Sequence, residues 1–268
     1  RSVGPAFMSG RIADIAIDSN NENVWYVAVG SGGVWKTKNA GTTWMPLTDN
    51  MPFYSTGSVT IDPNDSSRIW VGTGENVAGR HVGIGHGIYL SKDSGSTWDN
   101  MGLKKSEHIS KIIVHPDNSD IIWVASQGPL WNSGGDRGLF MSNDGGNTWS
   151  NKLYVNEWTG VTDIIIDPTN PDILYAATWQ RHRNVASLID GGPGTSIYKS
   201  TDGGNVWVEI DSGLPSSNMG KIGLAISPIK PEVIYAAIEL DRRSGAVYRS
   251  DNSGGVWKKM SNTVAGAT

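Results

Sequence analysis

Short apolar runs recur along the whole chain, and glycine, asparagine, aspartate or proline bounds each of them. Residues 15–18, 59–62 and 164–167 are runs of mostly β-branched residues that end at an aspartate, and proline follows the last two. Proline cannot donate a hydrogen bond to a neighbouring strand, so these two runs end there. Short β-branched and aromatic runs predict strands, and no stretch has a useful helical period. The pattern predicts an all-β protein.

Four such runs make up each repeat, and one phrase marks it. The phrase is a hydroxyl residue, Asp or Asn two positions later, Gly two after that and Trp three further on. Its copies occupy residues 37–44, 91–98, 142–149, 200–207 and 250–257, with tryptophans 54, 51, 58 and 50 positions apart. Four antiparallel strands repeated at this interval are typical of propeller blades. We therefore predict a β-propeller of four-stranded antiparallel blades with five repeats.

The repeats divide the chain into units. We expect one propeller domain over residues 1–268, with repeats at about 11–50, 57–104, 109–154, 161–212 and 220–261. Residues 1–10 are predicted to supply an orphan outer strand and a connecting loop. An orphan strand favours a longer propeller, or association with another chain that covers the open ends. A closed ring of five blades is the alternative.

The phrase itself is predicted to lie in the turn between the third and fourth strands. An Asp or Asn side chain there can accept backbone N–H bonds of its own turn, and glycine supplies a positive φ. A calcium loop would need several carboxylates at alternating positions, which these turns lack. One copy per repeat indicates a structural role, and we predict no metal and no cofactor.

The phrase resembles the Asp-box, or BNR, repeat of sialidases, xyloglucanase-type glycoside hydrolases, sortilin-type receptors and photosystem assembly propellers. The opening Arg1-Ser2-Val3-Gly4-Pro5-Ala6-Phe7-Met8-Ser9-Gly10-Arg11-Ile12 looks like the start of secreted bacterial proteins with sortilin-like repeats. The resemblance implies the propeller fold over nearly the whole chain. For the xyloglucanase type it also implies a catalytic Asp two residues before a Gly-Gly in the first repeat. The matching position here is Gly30.

Charge and hydropathy limit the kinds of partner that the protein can bind. The net charge is −4, from 22 Lys and Arg against 26 Asp and Glu, and no basic run is present. Nucleic-acid binding relies on clustered cations, so we expect no nucleic-acid partner. No apolar run approaches the roughly 20 residues of a membrane span, so we expect no membrane insertion.

Candidate binding residues lie in the irregular loops between second and third strands, because variable loops on a rigid scaffold concentrate binding residues. Loops between fourth and first strands share the same face. Of the 12 tryptophans, nine fit repeated positions, which leaves Trp131, Trp158 and Trp179 in the loops of this face in repeats three and four. Their rings could stack on a sugar or a peptide side chain, or fill gaps beneath their own loops. The charged residues that we add to this ligand-binding set are Arg137, Arg181, Glu75 and His108.

Asp14 and Asp163 are the candidate catalytic carboxylates, since one register of the innermost strands places them at the channel mouth. Two carboxyl groups about 5 to 9.5 Å apart could hydrolyse a glycoside. A charge-balanced polar ring around Lys111 is the alternative.

These observations favour a non-catalytic binding scaffold that engages a protein partner or a glycan through the irregular loops. The alternatives are a glycoside hydrolase of xyloglucanase or sialidase type, using carboxylates at the same face, and a structural subunit of a larger complex. We expect a secreted, periplasmic or cell-surface location.

Overall fold

The computed structural model describes residues 11–240 and 244–261 and the backbone of 263 and 264. Every regular element in these residues is a β-strand, and no helix among them is long and apolar enough to cross a membrane. The predicted all-β class is confirmed. The predicted orphan strand at 1–10 lies outside the described residues.

Five antiparallel sheets follow one another along the chain, and we call them blades 1 to 5. Blade 1 contains β1 (Ile12–Ile17), β2 (Trp25–Val29), β3 (Gly33–Thr37) and β4 (Met45–Pro46). Blade 2 contains β5 (Thr56–Asp62), β6 (Asp65–Thr73), β7 (Ile88–Ser91) and β8 (Asp99–Asn100). Blade 3 contains β9 (Ile109–His115), β10 (Asn118–Ser126), β11 (Gly138–Ser142) and β12 (Ser150–Leu153).

The last two blades carry extra strands. Blade 4 contains β13 (Thr159–Asp167), β14 (Asn170–Gln180), β17 (Ile197–Ser200) and β18 (Val208–Glu209), and its long loop holds the hairpin β15 (His182–Arg183) and β16 (Leu188–Ile189). Blade 5 contains β19 (Ile222–Ile226), β20 (Ile234–Leu240), β21 (Ser244–Ser250) and β22 (Lys258–Lys259), and β23 (Thr263–Val264) pairs with β21.

The first strand of each blade is the innermost one. Residues of β1, β9, β13 and β19 line a central cavity of about 200 Å³, among them Asp14, Lys111 and Asp163. Loops between second and third strands gather at one end of this channel, and the cavity includes Asn76 from one of them. The fold thus places the predicted loop face at the mouth of a polar channel.

Blades 2 to 4 bury both of their faces, because alternate residues of a strand point in opposite directions and a neighbouring blade packs on each side. We call the face toward the following blade the front face and the other the back face. The core between blades 1 and 2 joins the front of one to the back of the next, through Tyr26, Ala28, Val34, Val59, Ile69 and Val71. The chain therefore builds its core as a series of blade junctions.

The repeated phrase closes the turn between third and fourth strands. In blade 2 the Ser91 hydroxyl accepts the Gly95 amide at 2.7 Å and donates to Asp93 at 2.8 Å, and Asp93 accepts the Thr97 amide. The side-chain bond from Thr97 lowers the pKa of Asp93 to about 2. Gly95 has a φ of +94°, which favours glycine. Each Asp box therefore stabilises its own turn through local hydrogen bonds.

Candidate functional site

The loop face is formed by the segments that join second to third strands and by those that lead from one blade to the next. Residues 74–87 cross from blade 2 over the channel mouth, and residues 127–137 and 181–196 belong to blades 3 and 4. Residues 76–78, which we call the strap, carry the contacts that tie these segments together.

Three cations from distant blades hold three successive carbonyl groups of the strap. Lys221 Nζ donates to the Asn76 carbonyl at 2.5 Å, Arg181 Nη1 to the Val77 carbonyl at 2.9 Å and Arg183 Nη2 to the Ala78 carbonyl at 3.1 Å. The strap therefore connects blade 2 with blades 4 and 5 across the channel.

Two of these cations are largely withdrawn from water. Burial lowers the pKa of Arg181 to about 9, and the nearby charge of Arg137 adds to the effect. Burial also lowers the pKa of Lys221 to about 8, assisted by the charge of Arg181. Sequence reasoning selected Arg181 as a ligand-binding residue, and the structure places its guanidinium on backbone carbonyls instead.

Arg137 has a similar placement. Its buried guanidinium donates to five backbone carbonyls of the blade 3 and 4 loops, those of Gln127, Pro129, Asn132, Gly134 and Trp158. These bonds use the donors that a ligand would need, so Arg137 organises the loop.

Glu75 lies at the base of the strap and is almost fully buried. Its carboxylate accepts bonds from Arg11 at 2.5 Å, from the Ser31 hydroxyl at 3.0 Å and from the Gly83 amide at 2.9 Å. Burial opposes ionisation, but these hydrogen bonds together lower the pKa of Glu75. A Cβ added to Gly30 would lie 2.8 Å from Glu75 Oε1. A carboxylate from blade 2 thus stands beside the position at which the xyloglucanase type is expected to carry its Asp.

Glu107 lies where blade 2 joins blade 3, next to the strap loop. Its carbonyl accepts the Gly85 amide at 2.8 Å, and its φ of 56° is rare for a residue with a side chain. Burial raises the pKa of Glu107, although a hydrogen bond from the Leu130 amide opposes the shift. This carboxyl group therefore retains its proton more readily than an ordinary glutamate.

His108 follows Glu107 and is buried. Burial lowers its pKa to about 3, and the positive charge of Arg181 contributes. The imidazole is neutral at ordinary pH, so His108 belongs to the interior of the loop face.

A second acidic pair flanks Gly220 at the edge of the loop face. Burial raises the pKa of Asp190, and the charge of Glu239 raises it further. A Cβ at Gly220 would lie 2.9 Å from the Asp190 carbonyl and 3.1 Å from Glu239 Cβ, which places the two residues side by side.

The three candidate tryptophans have different environments, and Trp179 lies at the end of β14 and not in a loop as predicted. Trp179 is 2 % exposed, and its ring lies 5.0 Å from Arg181 and 5.3 Å from Lys221. Trp158 is half-buried and packs on His182 at 4.0 Å between ring centroids. Trp131 is 41 % exposed. Trp131 alone of the three presents a largely open ring.

The channel carboxylates Asp14 and Asp163 join neighbouring blades. Asp14 accepts the amides of Ile15 at 3.0 Å and Val59 at 3.1 Å, so it bridges blades 1 and 2. Asp163 accepts the amide of Ile164 at 2.9 Å and that of Leu224, in blade 5, at 2.8 Å. Burial raises the pKa of Asp163. Each carboxylate therefore accepts one amide from its own blade and one from a neighbouring blade.

The structure brings Glu75, His108, Arg137, Arg181 and Trp179 to one region of the loop face, with Trp131 and Trp158 toward the rim. Sequence reasoning missed Lys221, which precedes an ordinary inner strand and has no local signal. In the described part of the chain no three His, Asp or Glu side chains are grouped so as to hold a metal ion.

The profile of the family described as "Sortilin, neurotensin receptor 3" matches residues 32–152. The GH74 xyloglucanase from Xanthomonas campestris superposes with a TM-score of 0.70 at 18 % identity, over 93 % of this chain and 38 % of that one. At this identity the match shows the fold. The chain is a β-propeller built from Asp-box repeats.

Two curated relatives of this Asp-box propeller are enzymes. An oligoxyloglucan-reducing end-specific xyloglucanase of Emericella nidulans is 25 % identical over 215 residues, which is 74 % of this chain and 24 % of the relative. A xyloglucanase of a Paenibacillus species is 25 % identical over 281 residues, which is 94 % of this chain and 26 % of the relative. The Asp-box propeller thus spans about a quarter of the length of these relatives.

These relatives overturn the sequence-based preference for a non-catalytic binding scaffold, which is wrong. The repeated turns could not separate the two readings, since an Asp box has the same structural role in a binding protein and in a hydrolase. The alternative reading, a glycoside hydrolase, is the one that the relatives support.

Proposed function

We propose that this chain forms part of a glycoside hydrolase that cleaves a glucan of the xyloglucan class. The observation that carries the proposal is the pair Glu75 and Glu107 at the loop face, whose pKa values are shifted in opposite directions. Similarity to xyloglucanases over most of the chain supports the substrate class.

Glycoside hydrolysis uses one protonated carboxyl group and one carboxylate, and their environments separate the two roles. Glu107 has the raised pKa of a proton donor, and Glu75 has the lowered pKa of a base or nucleophile. The two residues belong to adjoining segments, since the amides of Glu75 and Gly85 bond to the carbonyls of Gly83 and Glu107. The exposed side chain of Arg11 covers Glu75, so access for a sugar requires Arg11 to move.

Trp131 follows Leu130, whose amide bonds to Glu107, and its exposed ring would be available for stacking on a sugar ring. We place the protein outside the cytoplasm, as a secreted, periplasmic or surface enzyme, because its polymeric substrate lies there. Fractionation of the source cells with an antibody against the chain checks this location.

The activity is tested with the purified chain on xyloglucan, mixed-linkage β-glucan and arabinoxylan. New reducing ends and the mass spectrum of the products are measured. We expect cleavage of xyloglucan, and a loss of about 10²–10⁴-fold in each of Glu75→Gln and Glu107→Gln, since each removes one group needed for proton transfer or attack.

Glu209→Gln, an exposed glutamate of β18, is the matched control and should retain full activity. Asp14→Asn and Asp163→Asn test the channel carboxylates as the second candidate pair. Loss of cleavage in these two, with Glu75→Gln active, would transfer the site to the channel. The protein that contains this chain is assayed in parallel, and if it is folded but produces no new reducing ends from any of the three polysaccharides, the hydrolase is rejected.

A further inference from the structure

The two carboxyl groups of the proposed hydrolase come from different segments of the chain. Glu75 closely follows β6 of blade 2, and Glu107 lies just before β9 of blade 3. A glycosidase keeps its two carboxyl groups about 5–5.5 Å or about 6.5–9.5 Å apart, and this separation selects the course of the reaction. Some contact must therefore hold the segment of Glu75 in place against that of Glu107.

The backbones of these two segments lie in direct contact. A Cβ added to Gly74 would overlap the Glu107 carbonyl oxygen, and one added to Gly72 would overlap the side chain of Ile109. The Gly85 amide donates to the same Glu107 carbonyl at 2.8 Å. The glycines allow the close approach of residues 107–109, but they have no side chain that could fix the position of Glu75.

His108 supplies such a side chain from the other segment. It is 1 % exposed, and its imidazole donates a hydrogen bond to the backbone carbonyl of Glu75. Its Nδ1 has no hydrogen-bond partner among the residues that the structure describes, so we assign this bond to the N–H on Nε2. The His108 carbonyl accepts the Gln127 amide of blade 3 at 2.9 Å. The ring is therefore anchored on blade 3 and holds the residue that carries the blade 2 carboxylate.

The charge state of His108 suits a positioning role. Burial and the charge of Arg181 keep the imidazole neutral at ordinary pH. A neutral ring adds no positive charge beside the two carboxyl groups, and it has no extra proton to give to a leaving group. It can hold the backbone of Glu75 without taking part in proton transfer.

We propose that His108 is a positioning residue, which fixes the Glu75 carboxylate relative to Glu107 by holding the Glu75 backbone. The inference rests on the proposed function, since it assigns both carboxyl groups to one reaction. Without this bond, residues 74–76 can move away from residues 107–109 while each blade keeps its sheet. A displacement of about 1 Å can cost about 10²-fold in rate.

Two substitutions separate the hydrogen bond of His108 from the volume of its ring. His108→Gln keeps an N–H donor near the position of Nε2, whereas His108→Leu fills a similar space without a donor. Both are made in the protein that contains this chain, and kcat and KM on xyloglucan are measured per folded molecule. We expect His108→Leu to lower kcat about 10²-fold with KM changed by less than about twofold, and His108→Gln to stay within about threefold of the wild type.

His115→Leu is the matched control. His115 is the last residue of β9, the strand that begins just after His108, so it lies at the opposite end of blade 3. This variant should keep the wild-type kcat. Circular dichroism checks folding, and His108→Met, which also lacks a donor, replaces His108→Leu if that variant does not fold.

The outcomes separate this inference from the proposed function. If the wild type cleaves xyloglucan and requires Glu75 and Glu107, a His108→Leu variant as fast as His115→Leu overturns the positioning role alone. Equal losses in His108→Leu and His108→Gln, or a loss confined to KM, also overturn it. A folded wild-type protein without activity removes the proposed function, and the inference falls with it.

Discussion

The face that carries the Asp boxes, which we call the turn face, and the loop face are both stabilised by hydrogen bonds between polar side chains and the backbone. The bonded residues differ greatly in their separation along the chain. In the Asp box, the Ser91 hydroxyl accepts an amide four residues away. At the strap, Arg181 and Lys221 reach carbonyls 104 and 145 residues away. The first face organises itself within one turn, whereas the second exists only once the blades are assembled.

The largest expected effect that tests this comparison is on the loop face. Arg137→Met leaves several buried carbonyls without a donor, and we expect the free energy of unfolding to fall by about 3 kcal/mol or more. Urea denaturation followed by tryptophan fluorescence measures it. Arg249→Met, which removes a half-exposed arginine, should lose far less. Equal losses in the two variants would show that burial of the guanidinium does not matter.

A pH dependence provides the next test. The pKa of His108 falls from 6.5 to about 3 on folding, so between these values the unfolded chain binds a proton that the folded chain does not. His108 therefore makes stability fall as the pH is lowered through this window, by at most about 1.4 kcal/mol per pH unit.

His108→Gln should flatten that slope between pH 6.5 and pH 5 in urea midpoints, and His81→Gln, an exposed loop histidine, should not. Parallel slopes in the wild type and in His108→Gln would show that other groups control acid stability.

The smallest effect is expected on the turn face. Ser91→Ala removes a hydroxyl that accepts the Gly95 amide and donates to Asp93, and we expect a loss of about 1 kcal/mol, because water replaces these local hydrogen bonds in part. The measurement is the same urea series, with the exposed Ser96→Ala of the same turn as its control. A loss as large as that of Arg137→Met would remove the distinction between the faces.

The sequence predicts the turn face better than the loop face, because the contacts of the turn face are local and those of the loop face are not. Strands, blades and Asp boxes are local and repeated, so five copies reveal them. Trp131 and Trp179 have similar settings in the sequence, but one is exposed and the other lies between two cations from blades 4 and 5. Only the tertiary fold separates them. The place of Glu75 beside Gly30 likewise depends on the packing of blade 2 against blade 1.

The predicted binding role failed on a related point. Residues outside the repeat showed which loops differ between blades. They did not show whether these loops bind a ligand or hydrolyse a substrate. Burial raises the pKa of Glu107, and the groups that act on its carboxyl, Leu130, Arg137 and Arg181, are distant from it in the chain.

The strap also has a mechanical consequence. The junctions between blades join only neighbouring sheets. The strap adds a brace across the diameter, because it ties blade 2 to blades 4 and 5 at three points. Releasing it would soften the array against opening while every blade kept its own sheet.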